Sequence, residues 1–371
     1  VSGTASGTAS IVSGQYSFSS ITLTGSPVTV LVYLNSSTSY RGSTVTATNS
    51  TTNNITGLNI YAGGVDITTS GTVTVKHESD LSSITNANMS SAKGALNANE
   101  ILYSVSGSDL TLGNGSYATV GLYIPSSKTF APGGNIYVSG DWTNNGGTFT
   151  PGSGTVTFNK AGSQNINGSA ASQTFNNITT ASTSALTIGG STTTLNLNTL
   201  TLGSGTSLTA GTASNINVSG DWTNNGGTFT PGSGTVTFNK AGSQNINGSA
   251  ASQTFNNITT ASTSALTIGG STTTLNLNTL TLGSGTSLTA GTASNINVSG
   301  DWSNNGGTFT HSSGTVTFNT TATSTISGST TFYNFVCTTG SKTLTFTNGT
   351  EQIVANSLTL HPSSGTLTIN N

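Results

Sequence analysis

The feature that most constrains this chain is a verbatim internal repeat. Val138 to Asn217 is identical to Val218 to Asn297, a period of 80 residues. A third copy opens at Val298 as VSGDWSNNGGTFTHSSGTVTF and drifts after Phe318, although its tail TFYNFVCTTGSKTLTF keeps the pattern of TFNNITTASTSALTI. Upstream, LYIPSSKTFAPGGNIYVSGDW matches LTLGSGTSLTAGTASNINVSGDW with two residues fewer, so the array reaches back to about Leu110. A fixed long period is the signature of stacked supersecondary units, each covering the open face of the last.

The unit divides again. From Asn215 the second copy reads as NINVSGDWTNNGGTFTPGSG, TVTFNKAGSQNINGSAASQ, TFNNITTASTSALTIGGSTT and TLNLNTLTLGSGTSLTAGTAS, segments of 20, 19, 20 and 21 residues. Each opens on an apolar pair (Ile216/Val218, Val236/Phe238, Phe255/Ile258, Leu275/Leu277) and carries a second apolar spot further on. Period-two alternation marks half-buried strands, and the Gly- and Ser-rich stretches between them mark corners. A segment of about 20 residues reads as one coil of a parallel β-helix or β-solenoid, with coils stacked at roughly 4.8 Å. About eighteen such coils would make a rod of very roughly 85 Å. The alternative is a string of tandem β-sandwich domains, one per repeat. The expected organisation is an irregular β-rich region at 1–109, a cap or assembly region, followed by a solenoid at 110–371 with repeats at 138–217, 218–297 and 298–371. SSAKGALNANE, Ser90 to Glu100, is the one stretch that reads as a helical turn.

Composition agrees with a thin core. Only 4% of residues are charged and 32% hydrophobic, against about 25% and 45–50% in ordinary soluble domains. The formal net charge is only −2, so this is not the charge-rich composition of disorder. Thr favours a pleated strand, whereas Gly, Asn and Ser favour turns. The basic residues are Arg41, Lys76, Lys93, Lys128, Lys160, Lys240 and Lys342. They form no clustered face, which argues against nucleic acid as a partner and against a polybasic membrane contact. No apolar run approaches the roughly 20 residues of a spanning helix, so direct membrane insertion is not expected.

The chemistry-bearing residues are few. Asp141/Trp142 recur as Asp221/Trp222 and Asp301/Trp302. They read as repeat corners, with Trp filling the core and Asp accepting backbone N–H groups of the following turn, or as a glycan contact in which Trp stacks on a sugar. Asn144, Asn145, Gly146 and Gly147 read as a corner turn. Thr-x-Thr strings would suit an ice lattice, but NINV and TLNLN interrupt them. Lys76, His77, Glu78 and Asp80 are the one cluster of titratable groups and read as a solvated strand end, not as an acid–base pair. No metal-ligand spacing appears and no cofactor is expected. Cys337 sits among apolar residues and reads as a buried, inert thiol. Sequons stand at Asn35, Asn49, Asn54, Asn88, Asn114, Asn167, Asn177, Asn217, Asn247, Asn257, Asn297, Asn319 and Asn348, and they are candidate glycosylation sites compatible with an extracellular address. Val1 in place of Met fits removal of a signal peptide.

The unit SGDWTNNGGTFTPGSGTVTF…NINGS…FNNI resembles repeats of secreted or cell-surface β-solenoid proteins of microbes, over roughly Leu110 to Asn371. The resemblance implies an adhesin or an extracellular fibre subunit. Catalysis needs one asymmetric set of unlike groups, and copying a unit verbatim builds length instead, so an enzyme is not expected. The chain closes on SSGTLTINN, a strand pattern without a charge to guard its edge. The expectation is a homopolymer assembling head to tail by β-edge pairing or strand donation, or else a glycan-binding stalk with surface glycans as partner.

Overall fold

The structure is a computed structural model and describes residues 28–33, 42–48, 64–67, 103–112, 119–362 and 364–371. Every regular element among them is a strand, and parallel sheets stack as a β-solenoid of about 12 turns spaced about 22 residues. The parallel stacking decides for the solenoid and against tandem sandwiches, whose sheets are antiparallel. The stretch Ser90 to Glu100 lies outside the described residues.

The chain divides into two compact units: Val1–Lys160 with Asn165–Ala170, and Ala161–Gln164 with Ala171–Asn371. The first unit opens with antiparallel pairs. Val28–Tyr33 lies against Gly42–Thr48, and Tyr103–Ser106 folds back on Asp109–Leu112. Between Ser106 and Asp109, Gly107 supplies the positive φ (60°) of the tight connection. From Asp109–Leu112 onward the pairing is parallel: Leu110 faces Ile136, and Ile136 faces Val156. Leu122 faces Trp142, which in turn faces Ile166.

The second unit is a three-faced coil. One face is a ten-stranded sheet that starts at Ser172–Thr174 and ends at Thr368–Asn370. The next holds Asn177–Thr180, Thr199–Leu202, Trp222–Asn224, Gly242–Asn247, Ser264–Ile268, Ser287–Thr289 and Thr308–Thr310. The third holds Ser184–Ile188, Ser207–Thr209 and Thr228–Thr230, and continues in a separate sheet from Ser252–Thr254 to Gln352–Leu360. Strands alternate inward and outward residues, as in the buried–half-buried pattern of Thr235–Phe238. In-register pairing stacks Leu195, Ile216, Val236, Ile258, Leu280, Trp302 and Ile326 into one apolar column. Each buried aliphatic contributes on the order of 1.5–3 kcal/mol of gross burial, so a few per coil suffice while Thr, Ser and Asn occupy the outside.

The turn is a little longer than the 20-residue segments suggest, and this has a geometric consequence. One repeat, from Trp222–Asn224 to Asn295–Val298, contains eleven strands: Trp222–Asn224, Thr228–Thr230, Thr235–Phe238, Gly242–Asn247, Ser252–Thr254, Asn257–Thr260, Ser264–Ile268, Thr274–Leu277, Thr279–Leu282, Ser287–Thr289 and Asn295–Val298. Eleven strands on three faces make three turns and two-thirds. Each copy therefore lands one face back from its predecessor. Trp222–Asn224 pairs in the second-face sheet with Thr199–Leu202, whereas Trp302–Asn304 pairs in the first-face sheet with Thr279–Leu282. Ser172–Thr174 is on the first face and its copy Ser252–Thr254 on the third.

Candidate functional site: the tryptophan corner

The corner is built on the longest coil within each repeat. Trp222 faces Ile246 and Trp302 faces Ile326, each 24 residues on, and Trp142 faces Ile166 at the same interval. The extra chain opens the corner, and a set of side chains closes it. Trp142, Trp222 and Trp302 are all 0% exposed. Trp222 meets Phe229 at 4.8 Å and Phe255 at 5.0 Å, and Phe229 meets Phe255 at 5.7 Å. Trp302 repeats this with Phe309 at 4.9 Å and Phe332 at 5.1 Å. A ring without accessible surface presents no face to a sugar, which corrects the reading of these tryptophans as glycan platforms. They are core side chains.

Asp221 and its copies act between coils. Its Oδ1 accepts the backbone N–H of Asn245 at 2.9 Å. Asp141 accepts that of Asn165 at 2.9 Å, and Asp301 that of Thr325 at 2.7 Å. The carboxylate thus caps a donor one coil away, not one in its own following turn as expected. That turn is capped by asparagine. Asn224 Oδ1 accepts the N–H groups of Gly226 (3.1 Å) and Gly227 (2.8 Å), and Asn144 does the same for Gly146 and Gly147. Gly226 sits at φ 95°, where a Cβ would be strained.

The second and third copies differ below the tryptophan. In the second, GSAASQTF runs from Gly248 to Phe255, and Trp222 Nε1 donates to Gln253 Oε1 at 3.1 Å. In the third, GSTTF runs from Gly328 to Phe332. Thr330 Oγ1 there accepts from both Trp302 Nε1 (3.2 Å) and Asn304 Nδ2 (3.3 Å), and Asn304 Nδ2 also donates to Ser329 O at 2.8 Å. Below the tryptophan the ladder breaks in both copies, after Thr228–Thr230 and after Thr308–Thr310. One sheet ends at Thr228–Thr230 and another begins at Ser252–Thr254. A cleft of about 160 Å³ opens between them.

A second polar exchange lies inside the core. Ser264 Oγ donates to Gln244 Oε1 at 3.0 Å, and Gln244 Nε2 donates to Val218 O at 2.7 Å. In the last copy Ser324 stands at the position of Gln244, and Lys342 at that of Ser264. Lys342 is 0% exposed and donates to Ala322 O at 2.7 Å and Ser324 Oγ at 2.9 Å. The long side chain has moved one coil down and still fills the same space. Burial lowers the Lys342 pKa from its usual value, with Cys337 and Asp301 acting weakly the other way. Burial likewise raises the Cys337 thiol, which is 0% exposed.

The described sequons fall into two groups. Asn217 Nδ2 donates to Asn196 Oδ1 and Asn297 Nδ2 to Asn276 Oδ1, both at 2.8 Å. Asn167, Asn247, Asn177 and Asn257 accept threonine hydroxyls of neighbouring coils. These six are half-buried, whereas Asn319 and Asn348 are exposed. A glycan on Asn217 or Asn297 would cost a ladder hydrogen bond. Asn35, Asn49, Asn54, Asn88 and Asn114 lie outside the described residues, as do Lys76, His77, Glu78 and Asp80. Among the described residues no three His, Cys, Asp or Glu side chains gather as a metal site would require, and no helix is long and apolar enough to cross a membrane. Comparison with protein-family models, with curated proteins and with solved structures finds no match.

Proposed function

We propose that this protein is a structural subunit of an extracellular filament or surface fibre. The observation that carries the reading is the eleven-strand repeat. It brings no unlike set of reactive groups to one place, and it delivers the same polar, nearly uncharged surface to each face in turn. Such a repeat supplies length and an even surface.

Head-to-tail assembly of copies completes the reading. Leu358 continues the column of Phe335, Leu360 that of Cys337, and Ile369 that of Leu344. Phe335, Cys337 and Leu344 are buried, yet Leu358 is 58%, Leu360 38% and Ile369 48% exposed. Core columns and strand edges of this kind are covered by a further coil, and in this reading a second copy supplies it where the chain itself does not. A heterologous contact of this type does not close and gives fibres. The sparse charge keeps repulsion between stacked copies small.

Electron microscopy of concentrated purified protein tests this. Long fibres with a regular axial repeat are expected, and Leu358→Lys with Ile369→Lys should abolish them without lowering the melting temperature. Monodisperse monomers at high concentration would overturn the reading.

A further inference from the structure

We propose that the cleft between Thr228–Thr230 and Ser252–Thr254 binds one ring of a neutral saccharide. The inference is independent of filament formation and rests on a donor that the longer loop leaves without a partner in the protein. Asn224 is only 4% exposed. Its Oδ1 is committed to the Gly226 and Gly227 N–H groups, its Nδ2 has no acceptor within the protein, and the residue lines the cleft. The equivalent Nδ2 of Asn304 has both Ser329 O and Thr330 Oγ1. The shorter loop of the third copy thus supplies from within the chain what the second copy leaves open. Nδ2 keeps contact with solvent, so a ligand oxygen there would take the place of water at this donor.

The rest of the lining fixes the ligand class. Phe229 is 8% exposed and forms the apolar wall. Thr228, Ser252 and Thr254 place exposed hydroxyls around the rim, while the Gln253 amide is committed to Trp222, Asn247 and Thr272. The broken ladder leaves the strand-edge backbone on both rims free to hydrogen-bond. No charged side chain lines the cleft, so a phosphate or carboxylate ligand would lack a counter-charge and a cation would lack a carboxylate. An apolar wall with several neutral donors and acceptors suits a ring that has a C–H face and hydroxyls at its edge. About 160 Å³ is below the roughly 300–1,000 Å³ of sites for drug-sized ligands. It admits a single ring, and the site is therefore weak, with dissociation constants on the order of 1 mM.

Saturation-transfer NMR of the full chain with glucose, mannose, galactose and N-acetylglucosamine tests the proposal. At least one of the four should give a saturable signal, and its methyl glycoside should keep that signal if the natural occupant is a residue of a longer glycan. Two variants probe the site, each made in the first and second repeats together because their sequences are identical. Asn224→Asp with Asn144→Asp keeps the turn-capping oxygen, removes the donor and should weaken binding by about tenfold or more. Replacing GSAASQTF by GSTTF should abolish binding in a chain that melts normally, since the third repeat folds with that loop. Asn304→Asp should leave binding unchanged. No saturable signal from any of the four sugars, or undiminished binding in either double-repeat variant, would overturn the proposal.

Discussion

A single carboxylate oxygen does at each corner what a ladder carbonyl does elsewhere. The Asn245 N–H has no strand partner where the coil lengthens, and Asp221 Oδ1 takes it at 2.9 Å. Asp221→Ala should lower stability by about 1–3 kcal/mol, because a half-buried donor is orphaned. Asp221→Asn should cost little, since an amide oxygen can accept the same bond. Urea unfolding of the two variants separates these outcomes. Lys342 makes a second residue-scale case. Its folded-state pKa is below the usual lysine value because burial disfavours the ammonium. Between that lowered value and 10.5, the unfolded chain holds more protons than the folded one. Stability contributed by this group therefore rises with pH through that window and falls as pH drops through the folded value. Thermal melts on approach to the usual lysine pKa should show this rise, and Lys342→Met should remove it. The sequence shows Lys342 only as a lone cation. Its burial follows from the exchange with Gln244 across coils, which no local pattern reveals.

Strands were legible in the chain and corners were not. Alternation such as Thr235–Val236–Thr237–Phe238 states which side chains turn inward, and the observed burial follows it. Corners tolerate one or two residues more or less, so segment lengths read near 20 while the turn averages about 22. The tryptophan corner was legible as a packing feature, but the cleft beside it was not. It arises where Trp222 meets Gln253, 31 residues away. Glycines separate two kinds of corner constraint. Gly242 has φ 99° with open space where a Cβ would stand, whereas Gly248 has φ 110° and its Cβ would run into the Asn224 backbone carbonyl. Gly242→Ala should cost about 1–2 kcal/mol for the left-handed backbone alone. Gly248→Ala should cost clearly more, because the neighbouring coil must also move. Equal losses of melting temperature for the two variants would mean that the coils yield more readily than this packing implies.

At the scale of the solenoid, the repeat length and the turn length do not divide evenly, and this decides what repetition produces. Identical residues reach a different face in each copy, so a Thr-x-Thr strand does not meet its own copy in the next repeat on the same face. The same arithmetic predicts the effect of deleting Val218 to Asn297. The new junction, Asn217 to Val298, reproduces a junction already present between copies, so the chain should fold with an unchanged melting temperature. The second unit should shorten by three turns and two-thirds, roughly 18 Å at 4.8 Å per turn. Everything downstream should also rotate by one face. Thr317 pairs with Asn297 on the third face. After the deletion it takes the place of Thr237, which is in register with Asn217 and through it with Asn196. Spin labels at positions 196 and 317, far apart in the intact chain, should then lie on one sheet two strand spacings apart, about 10 Å. Removing Thr235 to Asn256 instead takes out one whole turn, because Thr235 and Asn257 are in register, and should leave residue 317 on its own face. If the longer deletion left the two labels on different faces, the repeat would not hold eleven strands and the screw would be wrong.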